Sequence, residues 1–252
     1  MKILFTICGR AGSKGIKNKN IRLFCGKYLV LYTVSVIDLY LKSHNDLEYD
    51  IVVNSDSSEL LNIASNNGLR EISKINRDES LSGDTIGKIS VISDCLDKME
   101  ERKKCHYDMV VDLDITSPLR TVDDLCNVIE TQIKTGADVT TTVTTARRNP
   151  YFNQVMRTNH GVKKVIASNF TARQQAPEIF DMNASIYAYK PEYLHLGKGV
   201  LDGYCEIVEM YDTGILDLDH ENDFELMEII AEYLLKSNNG FKIVADNIVV
   251  KI

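Results

Sequence analysis

Apolar residues follow two rhythms in the first half of this chain. KILFTI (2–7), DIVVNSD (50–56) and YDMVVDLD (107–114) are short, nearly unbroken apolar runs, the pattern of strands buried on both faces. Between them, KYLVLYTVSVIDLYLKS (27–43), SSELLNIASNNG (57–68), TIGKISVISDCLDKMEERKK (85–104) and TVDDLCNVIETQIKTG (121–136) repeat at helical spacing, two of them closing on a glycine. Strands alternating with helices predict an α/β fold with a mostly parallel sheet flanked by helices.

The texture changes after Gly136. DVTTTVTTA (138–146) and NASIYAYK (183–190) predict strands, PEYLHLG (191–197) a short helix and ENDFELMEIIAEYLLK (221–236) a long one. FKIVADNIVVKI (241–252) reads as a final strand. The polar stretch between, with strand-like pieces FNQVMR and VKKVIAS, reads as an insertion at about 147–182. No repeat or low-complexity linker interrupts the chain, so residues 1–252 are taken as one domain.

Composition narrows the function. The 252 residues are 44% hydrophobic and carry a net charge of −7, which disfavours a general nucleic-acid binder. No segment has the length of a membrane span and none reads as a signal peptide. The six scattered cysteines lack any C-x-x-C pair and suggest reduced thiols, hence a cytoplasmic protein with no membrane partner.

Against this acidic background CGRAGSKGIKNKN (8–20) holds three glycines, four cations and no acid. A glycine-rich loop after a strand lets backbone N–H groups approach phosphate oxygens, and Arg10 and Lys14 add charge. The spacing matches neither the dinucleotide fingerprint nor the Walker A loop. A solvated turn with surface lysines is the plainer alternative. Two acidic pairs stand out as well. Asp217 and Asp219 alternate across Leu218, so on a strand both face one way, and they need a cation between them. A solvated Asp217 with Asp219 capping the next helix is the alternative. Asp112 and Asp114 repeat the pattern at a strand's carboxyl end, where open α/β sheets bind ligands.

RAGSKGIKNKN (10–20) closely resembles the signature of the CMP-sugar synthetases, cytidylyltransferases that activate sialic-acid-like nine-carbon sugars. Their loop usually reads A-R-G-G-S-K-G; here Gly9 replaces the alanine and Ala11 the first glycine, which would strain Ala11 if that position needs positive φ. Four further blocks resemble the family in order: NRDESLSGDT (76–85), TSPLR (116–120), RQQAP with MNASIY (173–187), and LDLDHENDF (216–224). The resemblance implies a sheet of the nucleotide-diphospho-sugar transferase type with a dimerisation excursion.

It also implies roles. Arg10, Ala11, Gly12, Ser13, Lys14, Lys19 and Asn20 would hold the nucleotide, with Arg77, Asp84 and Thr85 near the cytidine. Asp217 and Asp219 would hold Mg²⁺, and Arg10 and Lys14 would share the catalytic work. Asp114, Thr116, Ser117, Arg120, Arg173, Gln174 and Asn183 would face the sugar, Arg173 pairing with its carboxylate. Asp114 replaces a glutamine of the sialic-acid members, which admits a second metal or a different sugar contact. D-L-D, RRNPYFN (147–153) and DMNASIY (181–187) are similar to the branch acting on legionaminic acid. The implied substrates are CTP and a nine-carbon 2-keto sugar acid, the product a CMP-sugar for surface glycans, and the assembly a homodimer. Two rivals stay open: a metal-dependent sugar transferase using a nucleotide-sugar, and a catalytically silent CTP-binding protein.

Overall fold

The computed structural model describes residues 1–12, 15–16, 18–83, 86–213 and 218–249. Strand β1 (Lys2–Cys8) is the first apolar run, and only Lys2 at its start escapes full burial. Two short pieces, β2 (Leu23–Phe24) and β3 (Lys27–Tyr28), pair as a small hairpin before α1 (Leu29–Ser43), nearly all of whose residues are buried. Then come β4 (Glu48–Ser55), α2 (Ser58–Ser65), β5 (Ser73–Asn76), α3 (Lys88–Lys103), β6 (Met109–Leu113) and α4 (Val122–Thr135). The Ser57 hydroxyl caps α2 by accepting from the Leu60 N–H at 3.2 Å. Thr121 and Asp124 cap α4 reciprocally, and Gly136 closes it at φ +60°.

The second half adds β7 (Val139–Thr145), a hairpin of β8 (Val155–Thr158) and β9 (Gly161–Lys164), then β10 (Phe180–Tyr189), α5 (Pro191–Leu194), β11 (Cys205–Glu209) and α6 (Glu221–Ser237). The polar stretch expected as an insertion is where the chain leaves the main sheet; among the described residues β8 and β9 pair only with each other. The expected final strand is instead a helix, α7 (Asn239–Asp246). The Asn238 side chain accepts from the Gly240 N–H at 2.9 Å and starts the helix. Its apolar residues Phe241, Val244 and Ala245, and Ile248 just beyond it, are buried at a spacing of three, four and seven, a helical period hidden in a β-rich composition.

Among the described residues seven strands form the central sheet in the order β11-β7-β10-β6-β1-β4-β5. β10 runs antiparallel to β6 and β7; the other pairings are parallel. Ile3, Phe5 and Ile7 of β1 face a core shared with α1, α2, α4, α6 and α7. Leu4 and Cys8 point the other way, into a core with α3 and α5. The chain leaves β1 for β4 on one side and reaches β6 on the other, so the sheet has its switch point at β1 and a crevice opens there above the carboxyl ends.

Thr121→Ala should cost about 1 kcal/mol, the ordinary value of an N-cap, read from urea unfolding of the whole chain. A change within ±0.3 kcal/mol would mean that Asp124 alone holds the end of α4.

Candidate active site

The carboxyl ends of β1, β4, β5 and β6 surround a cleft of about 400 Å³. Arg10 and Lys19 come from the segment after β1, Arg77 from just past β5, Lys88 from the first residue of α3, Asp114 and Thr116 from behind β6, and Asp219 from the approach to α6. Four basic side chains and two carboxylates therefore line the wall, with Leu81, Ile86 and Val91 adding an apolar strip. Cations in excess, beside an apolar surface on which a ring can lie, suit a nucleotide-like polyanion.

The opening loop is built for close approach. Gly12 takes φ +73°, while Ala11 is not among the residues at positive φ; its N–H donates to the Asp56 carboxylate at 2.6 Å. The glycine-to-alanine exchange thus carries no left-handed strain. A Cβ on Gly15 would lie 1.8 Å from the Asp219 carbonyl oxygen, so only glycine fits this seam. Lys19 donates to the Leu218 carbonyl and pairs with the Asp219 carboxylate at 3.5 Å. The buried Asn20 amide donates to the Arg10 carbonyl at 3.0 Å and shapes the loop from beneath. Asn54, buried at the end of β4, orients Arg77: its Oδ1 accepts from Nε at 2.7 Å and its carbonyl from the guanidinium at 3.2 Å.

Asp219 is not the cap of α6. His220 is the N-cap residue, the Asp223 carboxylate reaches back to accept from the His220 N–H at 2.8 Å and the Asp219 N–H at 3.2 Å, and the Asp219 carboxylate is left largely exposed beside the cleft. Ser13, Lys14, Asp84, Thr85 and Asp217 lie outside the described residues.

The Asp112 and Asp114 pair already has its cation. Residues two apart on a strand share a face, and Lys88 places its ammonium 2.7 Å from Asp112 Oδ2 and 2.5 Å from Asp114 Oδ2. Burial works against the Asp114 charge, yet Lys88 and two bonds from Thr116 hold its carboxyl down at about 2. The two carboxylates likewise outweigh desolvation and lift Lys88 well above the ordinary lysine value. Lys88 was hidden in the sequence inside an amphipathic helix; the one signal that could have led to it was an acidic pair in need of a counter-ion.

Several sugar-facing candidates are elsewhere. Arg120 has no exposed surface and does not line the cleft. Its guanidinium donates to the Ser185 carbonyl at 2.7 Å, the Thr33 hydroxyl at 2.8 Å and the Asp114 carbonyl, and burial pulls its pKa down to about 10. It pins β6, β10 and α1 together beneath the site, a correction to its reading as a sugar contact. Asn183 is buried too: its Oδ1 accepts from the Thr142 hydroxyl at 2.7 Å at the irregularity of β10. Ser117 is almost fully buried. Arg173 and Gln174 line a separate cleft of about 360 Å³ beside Asn149 and Pro177, where Arg173 donates to the Ala146 carbonyl at 3.0 Å. Tyr151 packs edge-on against Phe170, and Arg147 pairs with Asp212 at 2.9 Å.

Arg120→Ala would empty a fully buried site and strip the Ser185 and Asp114 carbonyls of one of their two donors, so a loss of at least about 3 kcal/mol is expected in urea unfolding. A loss under about 1 kcal/mol would return Arg120 to the ligand-facing set.

Comparison with known proteins fits this geometry. The family model described as cytidylyltransferase matches residues 4–233. The chain is 38% identical over 238 residues to the post-translational flagellin modification protein B of Campylobacter coli, covering 94% of this chain and 97% of that one. It is 36% identical over 230 residues to a CMP-N,N'-diacetyllegionaminic acid synthase of Campylobacter jejuni, covering 91% and 94%. In fold it resembles a CMP:2-keto-3-deoxy-manno-octonic acid synthetase solved with CTP, at a TM-score of 0.64, 13% identity and coverage of 92% and 99%.

Proposed function

The chain belongs to the cytidylyltransferase family, and from that membership we propose that it transfers CMP from CTP to the anomeric hydroxyl of a nonulosonic acid. The acid is of the legionaminic type first and sialic acid next, and the products are a CMP-sugar and pyrophosphate. The observation that carries this reading is the seam at Gly15, which brings a basic loop from one end of the sequence against Asp219 from the other across a nucleotide-sized cleft. The similarity to a legionaminic acid synthase over nine-tenths of both chains supports the choice of sugar.

In this reading Arg10 and Lys19 grip the phosphates, together with Ser13 and Lys14, while Arg77 and the apolar strip at Ile86 and Val91 hold the cytidine. The sugar hydroxyl attacks the α-phosphorus. A new O–P bond forms, the hydroxyl proton passes to solvent, the bond from the α-phosphorus to the bridging oxygen of the β-phosphate breaks, and pyrophosphate leaves with the charge spread over the basic groups. Such transfer needs alignment and charge neutralisation more than covalent help. The donors present fit Mg²⁺, a hard ion that takes few carboxylates plus phosphate oxygens: Asp219 is an exposed carboxylate, and Asp217 would join it. When bound, that ion neutralises phosphate charge; Lys19 meanwhile holds the Asp219 segment in place.

We further read the protein as a cytoplasmic homodimer that contributes to surface glycans. No helix among the described residues is long and apolar enough to cross a membrane. The β8–β9 excursion exposes Val155, Met156 and Val162, an apolar surface suited to a second copy of the chain. The silent-protein alternative loses the two features that suggested it, since Ala11 is unstrained and Asp114 is held by Lys88.

With CTP, Mg²⁺ and a panel of nonulosonic acids, pyrophosphate release is expected with the legionaminic-type acid and little with a plain hexose. Asp219→Asn should cut kcat at least about 100-fold and raise the Mg²⁺ requirement; an unchanged requirement would take Asp219 out of the metal site. Gly15→Ala should raise the KM for CTP by about tenfold or more, because the loop must withdraw from the Asp219 backbone. A wild-type KM in that variant would show that the seam plays no part in holding the nucleotide.

A further inference from the structure

Lys88 stands where local preference argues against it. It is the first residue of α3, where the positive end of the helix dipole disfavours a cation. It is nevertheless within 2.7 Å of two carboxylates, and only a third of its side chain is exposed. Asp112 has no exposed surface; its Oδ1 accepts from the Thr6 hydroxyl at 2.8 Å, while its Oδ2 has the Lys88 charge beside it but no hydrogen-bond partner among the described residues. Without Lys88 two carboxylates would face each other across a few ångströms in a half-dry crevice, an arrangement that recruits a cation or a proton. One oxygen from each, converging on a single point, is a start on the oxygen shell that a divalent ion takes.

We propose that Lys88 is the resident cation of the Asp112–Asp114 pair: its ammonium fills the place that a divalent ion would otherwise take, so that the cleft holds metal on its Asp219 side alone. The ammonium donates to the Asp114 carboxylate, pairs by charge with Asp112, and fixes Asp114, which in turn holds the Thr116 N–H at 2.9 Å and hydroxyl at 2.7 Å. Lys88 is thus a positioning residue for the wall behind β6 and determines which carboxylates are open to metal. The inference builds on the reading of this cleft as the place of cytidylyl transfer, yet its test does not depend on turnover.

The test counts Mn²⁺ bound to the full-length, nucleotide-free protein by electron paramagnetic resonance of the free ion. Lys88→Met is expected to bind one more Mn²⁺ than wild type, and the double variant Lys88→Met with Asp114→Asn to lose it again. A folded Lys88→Met that gains no ion overturns the inference. If Lys88→Met unfolds in the absence of metal, a Tm that recovers with Mn²⁺ supports it, because a merely structural lysine would not be replaced by an ion. Where that variant does not fold at all, Asp114→Asn alone decides: it must bind as many Mn²⁺ as wild type, and one fewer overturns the inference. Failure of the cytidylyl reading looks different, since wild type would then release no pyrophosphate from CTP while the Mn²⁺ counts stood.

Discussion

The contact of Gly15 and Lys19 with residues 218–219 governs the rest of the cleft. Two segments two hundred positions apart touch backbone to backbone because Gly15 has no Cβ. Around that point the seam is fastened by Lys19 on the Leu218 carbonyl and by the ion pair of Arg22 with Glu221. The Arg22 guanidinium also stacks 4.1 Å over the Phe224 ring, and Phe224 meets Phe24 edge-on at 5.7 Å in the core. Exposed ion pairs add little by themselves. Here they are anchored on buried aromatic rings, so the first turn of α6 travels with the loop that follows β1. Opposite charges meet across the crevice because apolar packing behind them holds the geometry.

Under the cleft the same logic uses polar groups. A parallel sheet aims several strand ends at one edge, but strand ends carry free carbonyls that need donors. Arg120 supplies three bonds to β10, α1 and the turn after β6, at the cost of burying a guanidinium. Thr6, Asp112, Lys88 and Asp114 form a second ladder on the opposite face of the sheet. The two ladders flank β6, so the wall that would face a sugar is rigid before any ligand arrives.

Much of this was legible in the residues. The strands at 2–7, 50–56 and 107–114 and the helices between them are long periodic runs, and Thr121 and Gly136 marked the ends of α4. The glycine and lysine spacing after β1, and Asp219 opposite it, pointed to the cleft. What stayed hidden depended on tertiary contact. β5 and β11 are short edge strands whose pairing, and not their composition, makes them strands. Val, Ile and Phe in 241–248 favour a strand until Asn238 caps a helix against α1. TSPLR and MNASIY looked like ligand contacts because motif similarity cannot tell a residue on the wall from one behind it; Arg120 and Asn183 proved to be behind. Lys88 needed the register of α3 over β6, which no periodicity within the helix reveals.

β10 runs against its neighbours, with Ala184 at φ +49° where its pairing to β7 shifts. A reversed strand returns the chain to the edge from which β7 left, so the excursion carrying β8 and β9 begins and ends at one rim of the sheet. That makes the excursion a module with a fixed socket. Its outer surface is therefore free of the register constraints that fix the strands around the cleft, and a change of length there leaves the pairing of β1, β4, β5 and β6 untouched.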